Sequence, residues 1–176
     1  MTRTVVRERP RLATATALLA AFAILAGLPA PAEACPHHLR GQLEAAPAPP
    51  ELCSSPWGWC TDGELKGPLR GDYFYTFTDM ISAGRPEAPW LTYYAGNVEI
   101  TLRNGDSIFG IDNGTIDLDP AGTGAYASVM IVTGGTGAYE GATGYLVIGG
   151  TIDLATGEAA GTYDGQIDTP ESHPRH

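Results

Sequence analysis

From Trp57 to Asp168 apolar and polar residues alternate along the chain, and no window of helical length carries apolar residues at a 3.6-residue period. Tyr73, Tyr75 and Phe77 are interleaved with Asp72, Phe74, Thr76 and Thr78. Tyr94, Val98, Ile100 and Leu102 are interleaved with Ala95, Asn97, Glu99 and Thr101, and Leu146, Ile148, Ile152 and Leu154 with Tyr145, Val147, Thr151 and Asp153. A period of two with one apolar face is the pattern of a half-buried strand. Turn-forming residues separate the runs: Asn104-Gly105, Asp119-Pro120-Ala121-Gly122 and Ala155-Thr156-Gly157-Glu158. The spacing predicts strands near 61–67, 71–81, 90–103, 106–118, 123–133, 144–154 and 158–168. Short antiparallel hairpins leave edges that must be covered or paired, so an all-β meander closed into a barrel is expected. An eighth strand would come from the Trp57 region or from dividing 106–118 at Asn113-Gly114. We read that dipeptide as a bulge within one strand rather than a hairpin turn. Two short sequences recur, Gly114–Leu118 as Gly150–Leu154 and Gly122–Tyr126 as Gly135–Tyr139. Their unequal offsets argue for similar hairpins rather than a repeat array.

The ends have a different character. Arg3, Arg7, Arg9 and Arg11 precede an apolar run from Ala13 to Gly27, followed by small residues up to Ala34. This is the order of a secretory signal peptide, and the run is short for a membrane span. Residues 1–34 are therefore expected to be removed, after Ala34 or Ala32, leaving a secreted, periplasmic or envelope protein. Cleavage after Ala34 would expose Cys35, where lipid attachment is the less favoured alternative. Residues 35–56 are rich in Pro and Ala and read as an extended linker, 57–168 as the barrel, and 169–176 as a polar tail.

The formal net charge of −10 argues against nucleic acid and anionic membranes as partners. All four histidines (His37, His38, His173, His176) and all three cysteines (Cys35, Cys53, Cys60) fall outside the expected strand core. Catalysis by Ser-His-Asp or Cys-His, and His/Cys zinc sites, need such side chains beside the reacting atom. No metal or other cofactor is expected. In an oxidising compartment the default pairing is Cys53 with Cys60.

Residues 133–145 contain Gly134, Gly135, Thr136, Gly137, Tyr139, Gly141 and Gly144, a tight connection between two strands. No Lys follows and no helix pattern opens after it, which argues against a phosphate loop. This segment resembles the signature of the allene oxide cyclase and dirigent barrel superfamily: a Gly-Gly-Thr/Ser-Gly turn, an aromatic residue, then a second Gly-containing stretch. The region from about Gly63 to Ile167 is similar to secreted bacterial members of that superfamily. The resemblance implies an eight-stranded antiparallel barrel with a cavity, often trimeric, and an isomerase or cyclase chemistry or the steering of phenoxy-radical coupling. The residues it transfers are those of the turn. The early Glu motif of the cyclases has no counterpart before Tyr73.

A barrel of this composition has carboxylates, Tyr, Ser/Thr and amides with which to act. Asp112 shares a strand face with Ile108, Ile116 and Leu118. An acid on an apolar face has its pKa raised by desolvation and can exchange a proton near neutrality. Asp112, with Tyr73, Tyr75, Tyr94 and Tyr163, is the candidate pocket; the alternative has Asp112 capping a turn at Asn113-Gly114 and the tyrosines filling the core. Two functions remain open. One is binding of an apolar or aromatic small molecule, with cofactor-free isomerase or cyclase chemistry assisted by Asp112. The other is a non-catalytic, oligomerising barrel with a filled interior.

Overall fold

The computed structural model describes residues 38–121 and 124–170. The expected signal peptide, Cys35, His37, and His173 and His176 of the tail lie outside the described residues. Eight strands run β1 (His38–Pro47), β2 (Cys60–Lys66), β3 (Gly71–Ser82), β4 (Leu91–Leu102), β5 (Ser107–Asp117), β6 (Ala125–Gly135), β7 (Thr143–Ile152) and β8 (Ala159–Asp168). Each pairs antiparallel with the next, and β8 pairs with β1, so the sheet closes without an edge. Seven of these strands fall within two residues of the ranges expected from alternation.

The eighth strand corrects two expectations. It comes from neither the Trp57 region nor a divided 106–118, but from His38–Pro47, inside the expected linker. Leu39, Gly41, Leu43 and Ala45 alternate there with His38, Arg40, Gln42 and Glu44, and the first set is the more buried. Gly41 and Ala45 are small inward residues and add little to an apolar signal, while the prolines gather at the strand's end. The barrel therefore begins at His38 rather than at 57. His38 and Cys60 are accordingly strand residues, although both were expected outside the strand core. The His38 imidazole is solvent-exposed, 3.2 Å from the Asp164 carboxylate.

Asn113-Gly114 is neither a turn nor a bulge: β5 pairs without interruption through Ala95↔Asn113 and Tyr94↔Gly114. The register breaks lie elsewhere, between Phe77 and Asp79 in β3 and opposite Phe109/Gly110, where β6 carries the extra residue Thr133.

The Gly-rich connection joins β6 to β7 through a 3₁₀ turn at Gly137–Tyr139. It is fastened to the β4–β5 hairpin. The Ser107 backbone N–H donates to the Thr136 hydroxyl at 2.8 Å, and Ala138 N–H donates to the Asp106 carboxylate at 3.2 Å. Gly137 has φ +57°, and a Cβ there would collide with Asp106, so glycine is required on both counts.

The barrel's two ends differ. At one end the chain turns within the β2–β3, β4–β5 and β6–β7 connections, and the interior is packed solid by Leu65, Leu69, Ile100, Ile108, Met130, Leu146 and Tyr163, all fully buried. The opposite end receives the β1–β2, β3–β4, β5–β6 and β7–β8 connections. There the Cys53–Cys60 disulfide forms as expected, across a sequence separation of 7 residues. Among the described residues no helix is long and apolar enough to cross a membrane.

Candidate functional site

Alternation sends every second side chain inward, so four neighbouring strands furnish the site. β3 contributes Tyr73, Tyr75 and Phe77; β4 contributes Tyr94; β5 contributes Asp112 and Ile116; β6 contributes Tyr126 and Ser128. With Leu43, Ile148 and others from β1, β2, β7 and β8 they line a cavity of about 60 Å³ in the half of the barrel nearest the β1–β2 and β3–β4 connections. Above it lies a vestibule of about 340 Å³, lined by Trp59, Leu118, Leu154 and the Pro47-Ala48 segment. The two spaces share Thr61, Phe77, Ile116 and Ile152 as wall residues. The inner cavity has the space of roughly two waters, so it suits a functional group; the vestibule is the size of a small ligand site.

Inward glycines make room for the aromatic side chains. A Cβ on Gly96 would meet the Tyr75 ring at 2.4 Å, and one on Gly114 would meet the Tyr94 ring at 2.7 Å. The freed rings pack edge-on: Tyr75 against Phe77 at 4.5 Å between centroids and against Tyr94 at 6.0 Å, and Trp59 of the disulfide loop against Phe77 at 6.0 Å. These are favourable quadrupolar geometries.

Asp112 stands in this aromatic wall with 1% exposure. Its cross-strand neighbours are Gly96 and Met130, so no cation faces it. Its Oδ1 has no hydrogen-bond partner, and neither have the hydroxyls of Tyr75 and Tyr126. Burial pushes the carboxyl from its ordinary 3.8 up to about 6, against the opposing pull of hydrogen bonds from the Ser128 hydroxyl and the Asn113 backbone N–H. Burial, and after it the charge of Asp112, raises Tyr73 and Tyr75 far above the usual phenol range. Tyr126 is pushed up to about 12 by the same two causes. Tyr94 is raised by burial, partly relieved by a hydrogen bond to Ser128. The phenols thus stay protonated, and Asp112 is the group in the cavity poised to change charge near neutrality.

Four of the five residues singled out from the sequence, Asp112, Tyr73, Tyr75 and Tyr94, line one cavity. Asp112 sits within β5 and caps no turn. Tyr163 is a different case. It points inward with 0% exposure, but toward the packed end. Its hydroxyl accepts from the Leu69 backbone N–H and donates to the Lys66 carbonyl, each at 3.1 Å. It closes the barrel floor and does not line the cavity. Tyr126 and Ser128 complete the site and were missed; Tyr126-Ala127-Ser128 has the right alternation, but only the register Gly114↔Ser128 brings the hydroxyl beside Asp112. Among the described residues no three His, Cys, Asp or Glu side chains cluster as metal ligands.

No protein-family model and no curated protein matches the chain. One solved structure does, a pterocarpan synthase dirigent protein, at 17% identity over 74% of this chain and 86% of that one, with a TM-score of 0.29. At that degree of superposition the match carries no functional weight. The closed eight-stranded barrel rests on the strand pairing itself.

Proposed function

We propose that this is an exported β-barrel that binds an apolar or aromatic small molecule in its interior, with Asp112 placed to give or take a proton in a cofactor-free isomerisation or cyclisation. The observation that carries the reading is the Asp112 carboxyl, buried and with Oδ1 unpartnered, at the base of an aromatic cavity that adjoins an apolar vestibule. A buried, half-satisfied carboxyl costs stability, and such groups persist where function uses them. Rigid rings on strands would enforce one ligand conformation, and a carboxyl titrating near neutrality would assist proton transfer. The disulfide fits an oxidising compartment.

The filled-barrel alternative describes the packed end well, but leaves the Asp112 end without a reason. Native mass spectrometry of protein exported by its own source is the direct test. A retained small molecule, lost in Asp112→Asn, is the expected result. A ligand-free protein whose Trp59 fluorescence is not quenched by small aromatic probes would favour the structural role.

We further propose that copies of the barrel associate through the outer face of β5–β7. Ile111, Ile131 and Tyr145 lie side by side there, next to Val129 and Val147, and all are exposed. A contiguous apolar patch of this kind marks an interaction surface.

A further inference from the structure

We infer that the interior site selects ligands carrying a primary ammonium group on an apolar or aryl body, the ammonium seating against Asp112 Oδ1 among the rings of Tyr75, Phe77 and Tyr94. This rests on the binding half of the function proposed above and not on Asp112 acting as an acid.

Three independent observations lead there. The first is the composition of the walls. Among the described residues, Asp112 is the one charged side chain lining either the inner cavity or the vestibule. The vacant polar atoms of the cavity are all oxygens: Asp112 Oδ1, Tyr75 Oη and Tyr126 Oη. An ionised carboxylate only accepts hydrogen bonds, and an –NH₃⁺ group offers three donors. One buried negative charge, beside phenol oxygens that can also accept, matches that group in sign.

The second is size and surroundings. The inner cavity of about 60 Å³ accommodates an ammonium with its adjoining methylene, while the hydrocarbon body extends into the vestibule of about 340 Å³. Aromatic faces stabilise a desolvated cation, a gain that a neutral alcohol lacks.

The third is the distribution of charge over the whole barrel. The mouth-end strand termini and loops carry Asp79, Asp117, Asp119, Asp153 and Glu158. The one base there among the described residues, Arg85, is paired with Glu87 at 3.2 Å. The other described bases, Arg40, Lys66, Arg70 and Arg103, all lie toward the packed end. The mouth therefore presents a negative field that concentrates cations at the entrance and repels anions.

The groups facing Asp112 are Tyr73, Tyr75, Tyr94, Tyr126 and Ser128, none of them cationic. A bound ammonium would therefore be its sole counter-charge.

The test compares benzylammonium with benzyl alcohol, near-isosteres differing in charge, by calorimetric titration of the full chain at pH 7.5. Benzylammonium is expected to bind at least tenfold more tightly, with the margin shrinking as salt is raised. In Asp112→Asn the margin should vanish while benzyl alcohol still binds. A readout on the unaltered protein guards against misfolding of that variant: saturation with benzylammonium should lower the Asp112 carboxyl titration midpoint, followed by carbon NMR, by at least one pH unit. Equal or tighter binding of benzyl alcohol, or an unmoved midpoint with benzylammonium bound, overturns the ammonium assignment and leaves the binding cavity standing. Binding of neither probe overturns both.

Discussion

Tyr94 and Ser128 reach each other across Gly114. The three are opposed on β4, β5 and β6, and a Cβ on the glycine would fall 2.5 Å from the Ser128 Cβ and 2.7 Å from the Tyr94 ring. Ser128, held at that gap, hydrogen-bonds both the Tyr94 phenol and the Asp112 carboxyl. The missing side chain is therefore what allows the polar contact to form inside an apolar wall. Gly114→Ala is expected to cost about 1–3 kcal/mol through overpacking. Urea denaturation would register it as a lower midpoint at unchanged slope; a midpoint equal to the parent's would mean that the wall has slack.

Asp112 should tax stability above neutral pH. Its carboxyl titrates near 6 in the fold and near 3.8 when free, so between those values the folded state holds the extra proton. Stability then falls as pH climbs from about 4 to about 6.5, by about 3 kcal/mol for this group, and stays lower beyond. Asp112→Asn lacks this loss. Thermal melts at pH 5 and pH 7.5 should show the variant gaining on the parent at the higher pH. A parallel shift of both proteins would place the acid in a more polar setting than the cavity.

Tyr163→Phe separates floor from cavity. The change leaves the Leu69 N–H and the Lys66 carbonyl without their hydroxyl partner, at a cost of about 1–3 kcal/mol. Binding of the aryl probes at the other end should be unaffected. A binding defect in a well-folded variant would return Tyr163 to the site.

The Cys53–Cys60 bond holds the loop that carries Trp59 onto Phe77. The Phe77 N–H donates to the Trp59 carbonyl at 3.3 Å, and the Ser55 hydroxyl to the Phe77 carbonyl at 2.6 Å. Reduction should lower stability by about 2–3 kcal/mol, the entropy regained by so short a loop. Tryptophan emission should shift to the red as Trp59 leaves the vestibule wall. Red-shifted emission without a loss of stability would show the loop to be held by the bond alone and not to support the barrel.

Association through β5–β7 predicts an oligomer that Ile131→Asp dissociates, because the charge falls at the centre of the apolar row Ile111–Ile131–Tyr145. Sedimentation velocity over a concentration series reads it directly. A parent protein that is monomeric at every concentration removes this interface.

Strand positions from Cys60 onward were legible because their inward residues, such as Tyr73, Tyr75, Val98 and Ile100, are large and apolar against polar neighbours. β1 was hidden for the complementary reason: Gly41 is small because the Tyr163 ring fills its place, with the hydroxyl 2.3 Å from where a Cβ would stand. Large-small pairing across a barrel halves the signal on one partner. The same pairing explains Asn113-Gly114, where a turn-like dipeptide is a strand with a deliberate gap.

Residue alternation alone determined that this chain makes antiparallel strands, that Asp112 points with Ile108 and Ile116, and that Tyr73, Tyr75 and Tyr94 share the buried side, because side-chain direction follows parity along a strand. Parity carries no information about height along the barrel axis. That coordinate comes from register and closure, which only the folded sheet decides. It brought Tyr126 and Ser128 into one cavity with Asp112, sent Tyr163 to the opposite floor, and gathered the described bases, save Arg85, at the end away from the mouth.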